Sequence, residues 1–233
     1  MPAAPRGVHR VASFAELVER PLTCPTNALC WERILPGDFA EIVAHLGNAR
    51  REPVATIESS DLLALSLSPA GQAARACMLE DLSRLSALHL APTLNCIREY
   101  PRDERSGPIA TDVFSFHVDS APLPIDTWLC TYHGPASEGL SNHEALRRVD
   151  IPATRAALLA AYGGADDEDF LNFLSENAYD LHYAALPHAR PYSFGIGHLW
   201  RIATQHPGAV AVPCIHRAPP TAPGDPPRLL LIS

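Results

Sequence analysis

The sequence contains no lysine, since all 18 of its basic residues are arginine. A catalytic lysine Schiff base and the phosphate-binding lysine of a P-loop are therefore excluded. The basic residues are outnumbered by 26 acidic ones, and the formal net charge is −8 with histidine neutral. An acidic chain without a basic stripe argues against nucleic acid as a partner.

The cysteines do not form any C-x-x-C pair, which argues against a zinc ribbon or a thioredoxin-type site. No run of about 18 apolar residues occurs, so no segment is expected to span a membrane. Residues 1–20 carry Arg and Glu where a secretory signal would be apolar. These absences predict a cytoplasmic protein with reduced, mostly buried thiols. The six cysteines are Cys24, Cys30, Cys77, Cys96, Cys130 and Cys214.

What the sequence does contain is enough apolar material for a large core, with 47% hydrophobic residues in a chain of 233. It has no internal repeats, and the proline-rich stretch "APPTAPGDPP" is too short for a linker between domains. We predict a leader over residues 1–26, followed by one domain over residues 27–233.

The pattern within this domain predicts an α+β fold. Residues 27–92 have apolar positions at helical spacing and are expected to form mostly helical cladding. Residues 93–140 and 207–233 are expected to form a β core, because they contain short runs rich in branched and aromatic residues. Residues 141–206 are predicted to be a helical insert, either a mobile lid or an ordinary packed extension. The predicted strands are "TLNCIREY", "DVFSFHVD", "TWLCTYH", "AVAVPCIH" and "RLLLIS".

A His-x-Asp pair, His117 and Asp119, lies in the second of these predicted strands. Residues two apart on a strand point to the same face, so the imidazole and the carboxylate can aim at one point. A facial iron(II) site requires such a pair and one more histidine. By itself the signal is weak, because this composition supplies about 0.6 such pairs by chance. On these two residues alone, an exposed strand face or a His–Asp hydrogen bond is the better interpretation.

The end of the chain adds a more specific pattern. His216 closes the predicted strand "AVAVPCIH", and Arg228 opens the last strand, "RLLLIS". A strand, a His, a loop and a strand beginning with Arg resemble the end of the iron(II)/2-oxoglutarate oxygenase fold, the double-stranded β-helix. The resemblance implies that His216 completes a metal triad with His117 and Asp119. It also implies that Arg228 binds the far carboxylate of 2-oxoglutarate, a task suited to a bidentate guanidinium.

Two tyrosines are assigned by the same resemblance. Tyr100 ends the strand "IREY" and matches a position that often bonds the oxoglutarate carboxylate. Tyr132, in "LCTYHGPASEGL", is implied to lie near the same pocket. The resemblance thus implies a jelly-roll or cupin-like core, with N-terminal helices and a helical insert.

The sequence is more closely similar to the bacterial domain of unknown function eighteen-twenty-six. The matching stretches are "LCTYHGPASEGL", "HRAPP" and "RLLLIS", together with the opening "ALCWERILPGDFAEIVAHL". The chain departs from that family at His133, Ser137 and Gly139, where the family has Arg, Thr and Trp. The resemblance covers residues 27–140 and 207–233, so it implies nothing about substrate choice through the insert.

Together these features lead us to expect a non-haem Fe(II)/2-oxoglutarate-dependent dioxygenase. It would use O2 to oxidise a small-molecule or amino-acid-like substrate. Hydroxylation is favoured, since the carboxylate of Asp119 occupies the space in which Gly or Ala would admit chloride. Two alternatives stay open: a cupin-type iron dioxygenase that does not use 2-oxoglutarate, and a non-enzymatic metal-homeostasis or metal-binding protein. The second is suggested by zinc-homeostasis genes that neighbour some family members. Substrate identity and oligomeric state are not predicted.

Overall fold

The computed structural model describes residues 4–49, 52–103, 107–222 and 224–233. Six α-helices lie within these residues, and three of them fall in residues 27–92, where the sequence predicted helical cladding. Short 3₁₀ turns follow at Asn142–Glu144, Arg148–Asp150 and Tyr179–Leu181. The helices are α1 (Phe14–Glu19), α2 (Phe39–Ala49), α3 (Ser59–Ala64), α4 (Pro69–Ser86), α5 (Pro152–Tyr162) and α6 (Glu168–Glu176).

In the described part of the chain, twelve strands form a large seven-stranded sheet, a small three-stranded sheet and a two-stranded sheet. The large sheet has the order β1-β2-β10-β5-β12-β4-β3, the small sheet β11-β6-β9, and the third pairs β7 with β8. Between the strands of the described residues, every pairing is antiparallel except that of β1 with β2. The strands are β1 (Val8–Val11), β2 (Ala28–Trp31), β3 (Val54–Ile57), β4 (Thr93–Ile97), β5 (Thr127–His133), β6 (Glu138–Leu140), β7 (Ala145–Arg147), β8 (Tyr183–Ala185), β9 (Tyr192–Ser193), β10 (Leu199–Ile202), β11 (Ile215–Arg217) and β12 (Arg228–Ile232).

The large sheet is covered on both faces, and alternate residues of its central strand, β5, pack into different apolar clusters. Trp128, Cys130 and Tyr132 alternate along β5 and pack into the cluster that contains the apolar residues of α1 to α4. Leu129 lies in a second cluster on the opposite face, with Phe194 from beside β9. This alternation follows from the period of two along a strand. Helices therefore cover one face, and the small sheet lies against the other.

The fold is thus mixed α and β, with a large, mostly antiparallel sheet and six helices among the residues that the structure describes. Over the described ranges the sheets remain open and do not close into a barrel. No helix of the described chain has both the length and the apolar character needed to cross a membrane.

The structure divides the chain differently from the predicted leader and insert. Strand β1 lies within residues 1–26 and pairs with β2, so this part of the predicted leader belongs to the large sheet. Strand β10 lies within residues 141–206 and pairs with both β2 and β5. The last part of the predicted insert is therefore a central strand of the core, whereas α5 and α6 form their own apolar cluster.

Two predicted strands are much shorter than expected. Within "DVFSFHVD" only His117 makes a β-bridge. The Asp112 carboxylate accepts the Phe114 amide at 3.1 Å, and the Asp112 carbonyl accepts the Ser115 amide at 3.1 Å. This turn replaces the first half of the strand, because Asp competes well for nearby amides. Within "AVAVPCIH", a turn after His206 delays the strand until Ile215.

Candidate functional site

His117 and His216 are neighbours in space. The amide of His117 donates to the carbonyl of His216 at 2.9 Å, and the reverse hydrogen bond is also 2.9 Å long. The ring centroids are 4.6 Å apart, with an interplanar angle of 51°. His216 lies on β11 of the small sheet, so the bridge joins the His117 segment to that sheet.

Asp119 completes a three-residue cluster with these histidines. Its carboxylate oxygens lie 4.0 Å from Nε2 of His117 and 3.7 Å from Nε2 of His216. One potential ligand atom from each of the three residues lies within 4.8 Å of the others. The Thr127 hydroxyl donates to Oδ2 of Asp119 at 2.5 Å and orients the carboxylate. The structure therefore brings together the three residues that the sequence predicted as a triad.

Backbone carbonyls set the tautomer of both imidazoles. Nδ1 of His117 lies 2.8 Å from the carbonyl of Ser115, and Nδ1 of His216 lies 3.3 Å from the carbonyl of Cys214. A carbonyl only accepts, so each Nδ1 carries the hydrogen and each Nε2 keeps its lone pair. Metal-ligating histidines are commonly oriented in this way. Both Nε2 atoms are therefore ready to bind a cation.

The electrostatics of the cluster also favour a cation. Burial and the neighbouring His216 lower the pKa of His117 to about 4, so its imidazole is neutral at pH 7. Burial by itself would raise the pKa of Asp119, but His216, the Thr127 hydrogen bond and His117 together bring it below its usual value. The cluster thus presents a neutral imidazole at His117 and an ionised carboxylate at Asp119.

The donor set fits a divalent first-row metal. Two imidazoles and one carboxylate are the ligands of facial iron(II) sites, and zinc accepts the same atoms. An ion about 2.1 Å from each donor needs ligand atoms about 3.0 to 3.4 Å apart. The observed separations of 3.7 and 4.0 Å would close with movements of about 1 Å or less.

Arg228 is the second chemical feature of the site. Arg228 is only 2% exposed, yet no carboxylate in the described part of the chain pairs with it. Its guanidinium instead donates to three hydroxyls: Tyr100 at 3.0 Å, Ser137 at 2.9 Å and Thr131 at 3.3 Å. Its Nε–H has no acceptor among the described residues. A buried cation of this kind is costly unless an anion compensates its charge.

A cavity of about 240 Å³ connects these two features. It is lined by the three metal-cluster residues and also by Arg228 and Tyr100. Its walls come from both sheets, since Arg228 begins β12 of the large sheet and His216 lies on β11 of the small sheet. One cavity can therefore hold both a cation at the three-residue cluster and an anionic group at Arg228.

Tyr132 does not reach this cavity, contrary to the sequence prediction. Its hydroxyl donates to Oδ2 of Asp81 at 2.8 Å, and its ring stacks on Phe39 with centroids 5.5 Å apart. The reason is strand alternation: Thr131 faces Arg228, so the next residue along β5 faces the helices. Asp81 also accepts two hydrogen bonds from Arg33, both at 2.7 Å, so Tyr132 belongs to a structural ion-pair network.

Sequence reasoning missed several polar residues of the site. Thr127 and Thr131 are four apart on β5, and this same-face spacing is a signal that could have found them. Ser137 carries no such signal. His182 is also near, with its ring centroid 5.8 Å from that of His117.

Comparisons with protein-family models, curated proteins and solved structures found no match for this chain.

Proposed function

We propose that the chain is a non-haem Fe(II)/2-oxoglutarate-dependent dioxygenase that oxidises a small molecule. One observation carries the proposal: the buried Arg228, without a carboxylate partner in the described chain, lines the same cavity as His117, Asp119 and His216. A cavity with a metal cluster and a buried, uncompensated guanidinium suits an anion that also binds the metal. 2-Oxoglutarate has a keto acid for the metal and a second carboxylate for the guanidinium.

We further propose that the core is a double-stranded β-helix. Support comes from the path of eight segments, which are β4, the His117 bridge, β5, β6, β9, β10, β11 and β12. Within the large sheet the first, eighth, third and sixth segments are adjacent, as β4-β12-β5-β10. Within the small sheet the second, seventh, fourth and fifth are adjacent, as His117-β11-β6-β9. This path back and forth between two sheets is what a jelly roll of two Greek keys requires.

Each residue of the site has a role in this proposal. His117, Asp119 and His216 would hold Fe(II), and the ion would supply the site for dioxygen chemistry. The Arg228 guanidinium binds the distal carboxylate of 2-oxoglutarate, and the Tyr100 hydroxyl donates to the same carboxylate. Thr127 holds the Asp119 carboxylate in position. With dioxygen, bound iron and 2-oxoglutarate would supply oxidative decarboxylation to succinate and carbon dioxide, coupled to oxidation of a substrate C–H bond.

The two alternative functions account less well for Arg228. A metal-homeostasis protein needs the cluster but has no need of a buried guanidinium beside it. A cupin-type dioxygenase without 2-oxoglutarate would likewise leave this charge uncompensated in the described chain.

An anaerobic titration tests the proposal directly. Fe(II)-loaded protein is titrated with 2-oxoglutarate, and the visible charge-transfer band of the chelate is followed. Glutarate is the matched control ligand, because it has both carboxylates but lacks the keto oxygen that chelates the metal. We expect a band with 2-oxoglutarate and none with glutarate, and slow succinate formation in air. A protein that binds zinc tightly but shows neither the band nor succinate would overturn the proposal in favour of a metal-binding role.

A further inference from the structure

A second cavity, of about 250 Å³, borders the metal cluster. His117 and Asp119 line both this cavity and the one that contains Arg228. Its remaining walls include Thr111, Asp112 and, from the segment after α6, His182. A ligand in this second cavity would lie beside the metal without occupying the space next to Arg228.

His182 presents an unused acceptor at this cavity. The residue is 4% exposed, and its Nδ1 lies 2.9 Å from the carbonyl of Ala178, so Nδ1 carries the hydrogen and Nε2 keeps its lone pair. No side chain or amide of the described chain donates to Nε2. The amide of Val118 donates to the carbonyl of Leu181 at 3.0 Å, which holds the His182 segment against the His117 segment.

Asp112 adds a negative charge to the same wall. Its carboxylate accepts the amides of Phe114 at 3.1 Å and Asp103 at 3.4 Å. In the ranges that the structure describes, no Arg side chain forms an ion pair with it. The nearby Arg148 does not line the cavity, and its Nε donates to the carbonyl of Tyr183 at 3.4 Å. The wall thus offers a carboxylate and an imidazole acceptor.

We propose that this second cavity binds the substrate, and that it selects a small primary amine whose ammonium group donates to Asp112 and His182. The step from binding to oxidation rests on the proposed function, whereas the binding itself does not. The cavity lies below the range of about 300 to 1,000 Å³ that drug-sized ligands occupy, so it suits a compact molecule. An ammonium held here would direct the rest of the molecule along the wall that His117 and Asp119 form.

Binding of three probes of equal length tests the class of ligand. Pentylamine, 1-pentanol and pentanoate are titrated by calorimetry into the full chain, both metal-free and zinc-loaded. We expect pentylamine to bind at least tenfold more tightly than the other two, because charge-assisted hydrogen bonds are the stronger ones. Equal affinities, or a preference for pentanoate, would overturn the proposal.

Single-residue variants test whether pentylamine binds in the second cavity. Asp112→Asn and His182→Phe should each weaken pentylamine binding about tenfold. Asp166→Asn, at an exposed carboxylate near α6, is the matched control and should bind pentylamine like the unaltered chain. His182→Gln repeats the test if the Phe variant does not fold, as judged by circular dichroism. Unchanged affinity for pentylamine in folded Asp112 and His182 variants would contradict the proposal.

The same samples separate this inference from the proposed function. Binding of 2-oxoglutarate to metal-loaded protein tests the cavity at Arg228, and the amine series tests the cavity at His182. If 2-oxoglutarate binds and the amine preference is absent, the substrate inference fails and the oxygenase proposal stands. If the amine binds and 2-oxoglutarate does not, the pocket stands and the oxygenase proposal fails.

Discussion

His117 and His216 exchange two backbone hydrogen bonds, each 2.9 Å long, and thereby place their imidazoles side by side. The pair joins a loop segment in mid-chain to a strand near the C-terminus. Because the main chain sets this proximity, the rings need only small side-chain adjustments to share an ion. Because main-chain hydrogen bonds hold the two imidazoles together, metal binding should require little reorganisation of the cluster.

Replacement of His216 by Ala should lower the affinity for Fe(II) or Co(II) by about 100-fold or more, since it removes one of three donors. Calorimetry under anaerobic conditions measures the effect. His45→Ala, at an exposed position on α2, is the control and should leave affinity unchanged. Equal loss in both variants would indicate general damage and not removal of a ligand.

Replacement of Arg228 by Met should separate stability from ligand binding. The ligand-free protein should be as stable as the unaltered chain, or more stable by about 1 kcal/mol, because a buried and uncompensated cation is removed. The rise in melting temperature on addition of 2-oxoglutarate should disappear. Arg155→Met, which breaks a surface pair with Asp166, should keep that rise. Marked destabilisation by Arg228→Met, together with a retained rise on addition of 2-oxoglutarate, would show that the guanidinium has a purely structural role.

The two tyrosines should behave differently. Tyr100→Phe should weaken 2-oxoglutarate binding about five- to tenfold, because it removes a donor beside Arg228. Tyr132→Phe should leave this affinity unchanged but reduce the free energy of unfolding by about 1 to 2 kcal/mol, through loss of the hydrogen bond to Asp81. Ligand titration and urea denaturation of both variants check the contrast, and a reversed pattern would contradict the assignment of Tyr132 to the helical face.

The buried carboxylate of Asp81 should contribute more to stability than the exposed carboxylate of Asp166. Asp81 is 0% exposed and its carboxylate accepts two hydrogen bonds from Arg33, so Asp81→Asn leaves a buried charge without its partner. We expect a loss of about 3 to 5 kcal/mol in the free energy of unfolding, measured with urea. Asp166→Asn, at an exposed pair, should show no measurable change. Similar effects in both variants would contradict the structural role of the buried pair.

The stability of the metal-free protein should fall as the pH drops from 6.5 to about 4. Burial and the neighbouring His216 lower the pKa of folded His117 to about 4, against 6.5 for an ordinary imidazole. The unfolded chain therefore binds the proton at higher pH, and acidification favours unfolding by up to about 3 kcal/mol at this residue. Urea denaturation across this range checks the slope. His117→Gln should have a shallower slope, and an unchanged slope would rule out His117 as its source.

Helices were the part of the fold that the sequence predicted best. The apolar positions at helical spacing within residues 27–92 correspond to α2, α3 and α4 in the structure. The strands "TWLCTYH" and "RLLLIS" also appear as β5 and β12. Predicted strands failed where turn-forming side chains competed with the ladder, as Asp112 does. Sheet order could not be read from the sequence, because it depends on pairings between distant segments.

The sequence by itself determined which residues can bind a metal or an anion, and local periodicity determined most helices. Tertiary structure alone decided which of these residues share a cavity. Strand alternation turned Tyr132 away from Arg228 and Thr131 towards it. Backbone contact between two segments far apart in the chain brought His182 beside His117. The physical reason is that a side chain's type is local, whereas its direction and neighbours depend on the register between segments far apart in the chain.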